Sequence, residues 1–374
     1  MAAIGKKEKR ISPAEATLGF MSVLTLVLVL LFPSLAIDYM NRGMKLCVGT
    51  VIPSLFPFMV ASELIVITGA ASGVGKIFRA PARLLFGISP AGASALALGM
   101  VCGFPVGTRS AVSMYKRGEI SGAELSRLVA FSNNPSSAFL ISAVGTTLFG
   151  SREFGSVLYF ITILSSLTVG VLQNIILGRA EIQPVVEFSE REHKKERKGI
   201  SEFSAAVSSS ALAMLGICAF VVFFSTVTGT LGVILSSFGA SQIARAIFFS
   251  FFELTSGVAE AAGVEPLTTA ILVAAFAVGW SGLSVHLQMI GICNGTPISL
   301  RRYFLAKLSQ GLMNAALVFG YLKLFGDTLT FDVKSVGAFL RLDYSFGGFG
   351  SLVLAAFVLS LSFAVFVKLR KKIK

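Results

Sequence analysis

The chain is poor in charge. Of its 374 residues, 14% are Asp, Glu, Lys or Arg, while 54% are hydrophobic. A soluble domain carries about 25% charged residues. The deficit excludes an ordinary cytosolic enzyme and a disordered protein. Metal-ligating and redox residues are scarce too. The two His build no HExxH motif, and Cys47, Cys102, Cys218 and Cys293 lie far apart in apolar stretches without a CxxC pair. Nothing here suits a zinc site or a dithiol centre, and the cysteines read as small buried apolar residues. The stretch Gly73-Val74-Gly75-Lys76 departs from a P-loop on both sides, with Ala70 at the first glycine position and Ile77 at the Ser/Thr position. No nucleophile–base or metal pattern appears. The expectation is a chain that is not an enzyme and uses no metal and no cofactor.

What is present is apolar sequence in long runs. Mean hydropathy is +0.81. A membrane-crossing helix takes about 20 mostly apolar residues, so the chain holds material for roughly eight to ten. The runs show no two-residue alternation, which excludes a barrel and leaves helices. The fold class is an all-α polytopic membrane protein with roughly 8–10 hydrophobic helical segments in the lipid bilayer. Apolar runs are expected over 17–37, 44–70, 90–115, 137–149, 154–177, 205–227, 243–262, 267–292, 303–325 and 350–367. Pro53 and Pro57, one turn apart, should kink or break the second run.

The net charge of +13 arises from 32 Lys+Arg against 19 Asp+Glu. Its placement argues against nucleic acid as a partner. Basic residues gather at the N-terminus, in a central stretch around 191–198 and in the tail at 368–372, where the positive-inside rule expects cytoplasmic segments. Both termini are therefore expected in the cytoplasm, with an even number of crossings in each half. The organisation reads as an N-terminal tail (1–16), a first membrane repeat (17–178), a charged cytoplasmic linker (179–204), a second membrane repeat (205–367) and a basic tail (368–374).

The repeat reading rests on the order of features. Gly103-Phe104-Pro105-Val106-Gly107 interrupts an apolar segment in the first half, and Gly279-Trp280-Ser281-Gly282 interrupts one in the second. Two glycines around a proline cannot sustain a regular helix. About fifteen residues on, Gly118-Glu119-Ile120-Ser121 matches Gly295-Thr296-Pro297-Ile298-Ser299. Broken or re-entrant helices at corresponding places point to a transporter-type substrate site. Parallel and inverted arrangements both remain open.

Four stretches carry a resemblance: Val51-Ile52-Pro53-Ser54-Leu55-Phe56-Pro57-Phe58, Gly103-Phe104-Pro105-Val106-Gly107, Tyr115-Lys116-Arg117-Gly118-Glu119-Ile120-Ser121 and Phe131-Ser132-Asn133-Asn134-Pro135. In order and spacing, over about 15–325, they resemble the sporulation integral membrane proteins of the YlbJ (SpoVV) type. That family lies within the wider group with a nucleoside-recognition, or Gate, domain. The resemblance implies a role in endospore formation and movement of dipicolinic acid, a small aromatic dicarboxylate, across the mother-cell-derived membrane around the forespore. Concentrative nucleoside transporters, in the same wider group, hold substrate with re-entrant hairpins and broken helices.

Candidate substrate-binding residues are Gly103, Phe104, Pro105, Gly107, Thr108, Arg109, Asn133, Asn134, Gly279, Ser281 and Ser284. Arg109 follows the first break, and a planar guanidinium suits a carboxylate bidentately. The other reading places it at the membrane edge, snorkelling. Helices restarting after the two breaks would offer free N–H groups to an anion; the alternative is that the breaks serve only helix packing. Asn133 and Asn134 can donate to a carboxylate or pyridine nitrogen, or simply mark a helix stop before Pro135. Glu63, Glu253, Glu260 and His286, ionisable within apolar runs, are candidates for ion or proton coupling. Glu253 and Glu260, seven apart, should share one helical face. The leading function is a transporter or facilitator of a small organic anion. A nucleoside or ion carrier, using amides and carboxylates rather than Arg, is the second, and a scaffold of a sporulation membrane complex the third. A homo-oligomer is allowed by all three.

Overall fold

The computed structural model describes residues 13–68, 79–178, 199–326 and 329–331. Residues 1–12, the Lys76 loop, the linker over 179–198, and the apolar run and basic tail within 332–374 lie outside the described residues. Among those described, all regular structure is helical.

α1 (Pro13–Leu31) ends where Pro33 opens α2 (Pro33–Leu46), since a proline takes the first helical position readily and cannot continue a helix. The expected first run over 17–37 is therefore divided. α2 passes through a π-wound turn (Cys47–Val51) into α3 (Ile52–Ile67). Pro53 and Pro57 do not break this segment. The turn widens just ahead of them and accommodates the missing N–H donors. A short helix α4 (Arg79–Phe86) meets α5 (Pro90–Cys102) at a 90° bend. Then come α6 (Val106–Lys116), α7 (Gly122–Ser132), the π-wound α8 (Phe139–Leu148) and α9 (Arg152–Leu177). The second half holds α10 (Gly199–Ser237), α11 (Gln242–Phe252), α12 (Leu254–Ala262), α13 (Leu267–Trp280), α14 (Gly282–Ile292) and α15 (Leu300–Phe325).

Among the described residues, four helical stretches are long and apolar enough to cross a membrane: Pro33–Ile65, Arg152–Leu177, Ser201–Ser237 and Leu267–Ile292. The bent pair Arg79–Phe86 with Pro90–Cys102 is a fifth if it forms one span. Large side chains on the apolar helices point outward. Leu30 is 75% exposed and Leu212 73%, which places them against lipid tails. The chain is an all-α polytopic membrane protein.

Each half presents the same three parts in order. The first is a hairpin. α5 packs on α6, and α11 packs on α12. The legs approach through small residues: a Cβ on Gly107 would stand 2.7 Å from the Gly99 Cα, and one on Gly257 2.3 Å from the Ser250 Cα. Gly99 and Gly107 lie four residues either side of the tip at Gly103, and Ser250 and Gly257 three before and four after the tip at Glu253, as antiparallel legs require. The second part is an interrupted helix, α7–α8 broken at 133–136 and α13–α14 broken at Ser281, whose two pieces do not pack side by side. The third is a long helix, α9 or α15, and these two pack together.

This order corrects the alignment expected from sequence. Gly103–Gly107 forms a hairpin tip, whereas Gly279–Gly282 belongs to an interrupted helix. The counterpart of the first tip is Glu253, and the counterpart of the Ser281 break is the stretch Asn133–Ser136. The second tip lacks Gly and Pro because Glu253, with extended backbone (φ −144°, ψ 122°), ends α11 and caps α12. Glu253 and Glu260 consequently do not lie on one helix, and the shared face expected of them does not exist.

Candidate functional site

In each half the hairpin tip lies on the break of the interrupted helix. In the first, the Phe104 N–H donates to the Asn134 carbonyl at 2.7 Å. Gly103 has φ +77° and a Cβ there would stand 2.4 Å from the Ser136 nitrogen, so only glycine allows both the conformation and the approach. In the second, a Cβ on Gly282 (φ +77°) would meet the Leu254 nitrogen at 2.8 Å and the Glu253 Cα at 3.1 Å. The Trp280 indole N–H donates to the Phe251 carbonyl at 3.0 Å, tying the break to the tip.

The two tip-and-break pairs border one small cavity of about 20 Å³, room for about a single water. Phe104 comes from the first tip and Ser136 and Phe139 from the first break. Glu253, Leu254 and Thr255 come from the second tip, and Ser284, Val285 and Gln288 from α14. Val51 and Leu55, with Ile217 and Val221 of α10, close the apolar side.

Polar groups in this lining have distinct states. The Glu253 carboxylate is committed: Oε1 accepts from the Thr255 N–H at 3.0 Å and Oε2 from the Ser256 N–H at 2.6 Å. It satisfies donors at the α12 N-terminus that would otherwise be orphaned. The Ser136 hydroxyl accepts from the Phe139 N–H at 3.1 Å. Ser284 is different. It is fully buried and its Oγ has no partner among the described residues.

Behind the first break lies a buried polar network. The Asn133 amide donates to the Tyr303 hydroxyl at 3.2 Å, and that hydroxyl bonds His286 Nδ1 at 2.8 Å. Thr108 Oγ1 donates to Asn133 Oδ1 at 3.5 Å. Asn134 donates to the Phe131 carbonyl at 2.9 Å and to Ser166 Oγ at 3.0 Å, and its Oδ1 accepts from Gln310 at 2.7 Å. Lys307 Nζ donates to the Asn133 carbonyl at 2.9 Å and to Gln310 Oε1 at 2.8 Å. α15 thus clamps the break of the other half. The amides of Asn133 and Asn134 are spent within the protein.

The sequence candidates therefore separate. Phe104, Glu253 and Ser284 line the cavity. Gly103, Pro105, Asn133, Asn134 and Ser281 build the tips and breaks beside it, with Ser281 in a left-handed conformation (φ +75°). Gly107 and Gly279 serve helix crossings, Gly279 against Gln310 and Gly311 of α15. His286 joins the network, its ring edge-on to Trp280 with centroids 4.4 Å apart, and its Nε2 has no partner among the described residues. Arg109 turns away, donating to Ser209 of α10 at 2.8 Å, and is absent from the lining. Glu260 faces Arg245 at 3.7 Å. Glu63 lies half-buried on α3, also outside the lining. Lys307, Gln310 and Tyr303 are site residues that sequence reasoning does not single out. Their signal is a polar stripe, Tyr303, Lys307, Gln310 and Asn314, recurring at helical spacing through an otherwise apolar segment.

No family profile and no solved structure matches the chain. It is 29% identical over 321 residues to the sporulation integral membrane protein YlbJ of Bacillus subtilis (strain 168), over 78% of each chain. That likeness supports membership of the YlbJ family. The match agrees with the four resembling stretches, three of which the fold puts at defined places. The Pro53–Pro57 stretch follows the π-wound turn, Gly103–Gly107 makes the first tip, and Asn133-Asn134-Pro135 makes the first break. Those three stretches lie where helices stop and meet.

Proposed function

We propose that this protein is a transporter or facilitator that moves a small organic anion through the cavity between its two hairpin tips, with dipicolinate during endospore formation as the leading solute. The observation that carries the reading is the meeting of two tips and two helix breaks around one cavity. Breaks expose backbone groups that lipid cannot satisfy, so such geometry belongs where a solute or ion takes their place. The apolar and aromatic wall suits a planar ring once the tips part to admit one. Recognition of charge falls to N–H groups at the start of α14 and to the Ser284 hydroxyl, since among the described residues no Arg or Lys lines the cavity. A sporulation membrane protein as relative, 29% identical, fits a solute needed by the developing spore. On this reading the termini face the cytoplasm.

A nucleoside or ion carrier is the second reading. Glu253 and Gln288, a carboxylate and an amide, both line the cavity and would suit sugar hydroxyls or a cation. Flux into reconstituted vesicles separates the two. Saturable uptake of labelled dipicolinate, not displaced by nucleosides, is expected. Folded protein that moves nucleosides, or neither solute, refutes the anion reading. A scaffold would tolerate cavity substitutions without any sporulation defect.

A further inference from the structure

Lys307 poses a charge problem. It is wholly buried on α15, and the ion pairs among the described residues include Arg117 with Glu119 and Arg245 with Glu260, not Lys307. Lys307 has no carboxylate partner there. A cation inside a membrane protein is costly and is kept for a purpose. It does not line the cavity, so solute contact does not explain it.

Its surroundings do. Nζ meets the Asn133 carbonyl at 2.9 Å and Gln310 Oε1 at 2.8 Å. Asn133 follows the last residue of α7, where helical carbonyls lack intrahelical partners and the dipole is negative. An unwound backbone carbonyl at a half-helix C-terminus, joined by a side-chain oxygen, is a donor set that holds Na⁺ in broken-helix transporters. The neighbouring carbonyl, that of Asn134, receives the hairpin-tip N–H of Phe104. A cation on one carbonyl therefore steadies the tip bound to the next.

We propose that the Lys307 ammonium is a tethered cation that fills an oxygen site at the α7–α8 break in place of a diffusible Na⁺, fixing the first hairpin tip without a bound metal ion. Lys307 is a positioning residue on this account. The proposal rests on the break geometry alone and needs no assumption about the solute.

The test is thermal unfolding of the purified full chain in detergent, in NaCl against choline chloride at equal ionic strength. The wild type should unfold at the same temperature in both. Lys307→Ala should unfold earlier in choline chloride and be raised by Na⁺, saturably, by about 3 °C or more. Lys307→Ala with Gln310→Glu puts a carboxylate in the vacated site and should respond more strongly. The proposal is overturned if Na⁺ stabilises the wild type as much as the variants, if neither variant responds, or if neither yields folded protein in NaCl. No solute is present in this assay, so it decides independently of the flux experiment.

Discussion

Gly103→Ala probes the contact on which the site depends. The residue has φ +77° and ψ −169°, a region open essentially to glycine, and placing alanine there costs about 1–3 kcal/mol. The new Cβ would lie 2.4 Å from the Ser136 nitrogen and 2.8 Å from its Cα. Both are backbone atoms, so no rotamer can yield, and the tip must retreat from the break by about 1 Å to reach ordinary contact. Such overpacking adds about 1–3 kcal/mol. The retreat also stretches the bond between Phe104 N–H and the Asn134 carbonyl. Gly118→Ala is the control. Gly118 has φ +76°, but a Cβ there would meet nothing within 4 Å, so it carries only the backbone cost, about 1–2 kcal/mol. Thermal unfolding in detergent and uptake at limiting solute are the readouts. Gly103→Ala should be less stable than Gly118→Ala and should lose about tenfold or more in uptake, since about 1.4 kcal/mol of lost solute binding is already tenfold. Equal stability and equal uptake in the two variants would refute the tight seating of tip on break.

Glu253→Ala should cost about 1–2 kcal/mol through loss of the α12 cap, and Glu253→Gln, which keeps one acceptor oxygen, about half as much. Thermal unfolding measures both, and a neutral Glu253→Ala removes the cap from the argument. Ser284→Ala deletes a buried hydroxyl with no partner among the described residues, so stability should hold or rise slightly, while the half-saturating solute concentration should rise several-fold. Unchanged uptake kinetics take Ser284 out of the site. Arg109→Ala and Ser209→Ala break the same bond and should have matching effects, about 1 kcal/mol in stability with uptake largely kept. Loss of uptake in Arg109→Ala alone would put the guanidinium in the solute path.

Helix ends are legible in the sequence because serine and proline mark them directly. Ser89, Ser121, Ser151, Ser241 and Ser299 each accept a backbone N–H three residues on, so the boundaries near 90, 122, 152, 242 and 300 follow from local chemistry. The first tip and first break are legible for the same reason, in Gly103-Phe104-Pro105 and Asn133-Asn134-Pro135. The second tip is not. Glu253 sits in Phe251-Phe252-Glu253-Leu254-Thr255, which reads as uninterrupted helix until the carboxylate is seen to bond the Thr255 and Ser256 amides. Arg109 resembles a substrate ligand in sequence because its distance to Ser209, a hundred residues away, is a tertiary fact. Lys307 is hidden among Arg301, Arg302 and Lys323, which share its helix. Only the helical recurrence of its polar neighbours separates it from charge placed by topology.

Two deeply buried charged residues stand at opposite helix ends. The Glu253 carboxylate lies on the positive N-terminus of α12, and the Lys307 amino group on the carbonyl that follows the negative C-terminus of α7. Each meets backbone groups that lipid would leave unsatisfied. Other helix starts are treated differently. α6 begins after Pro105 and α14 after Ser281, both without a side-chain cap, and α14 lines the cavity through Ser284 and Val285. The Val106 N–H at the start of α6 already donates to the Gly103 carbonyl at 3.0 Å. If Lys307 and Glu253 serve to hold the tips, the uncapped start of α14 is where an anionic solute would find its donors. The selectivity of uptake should then follow the solute's carboxylate groups rather than its ring.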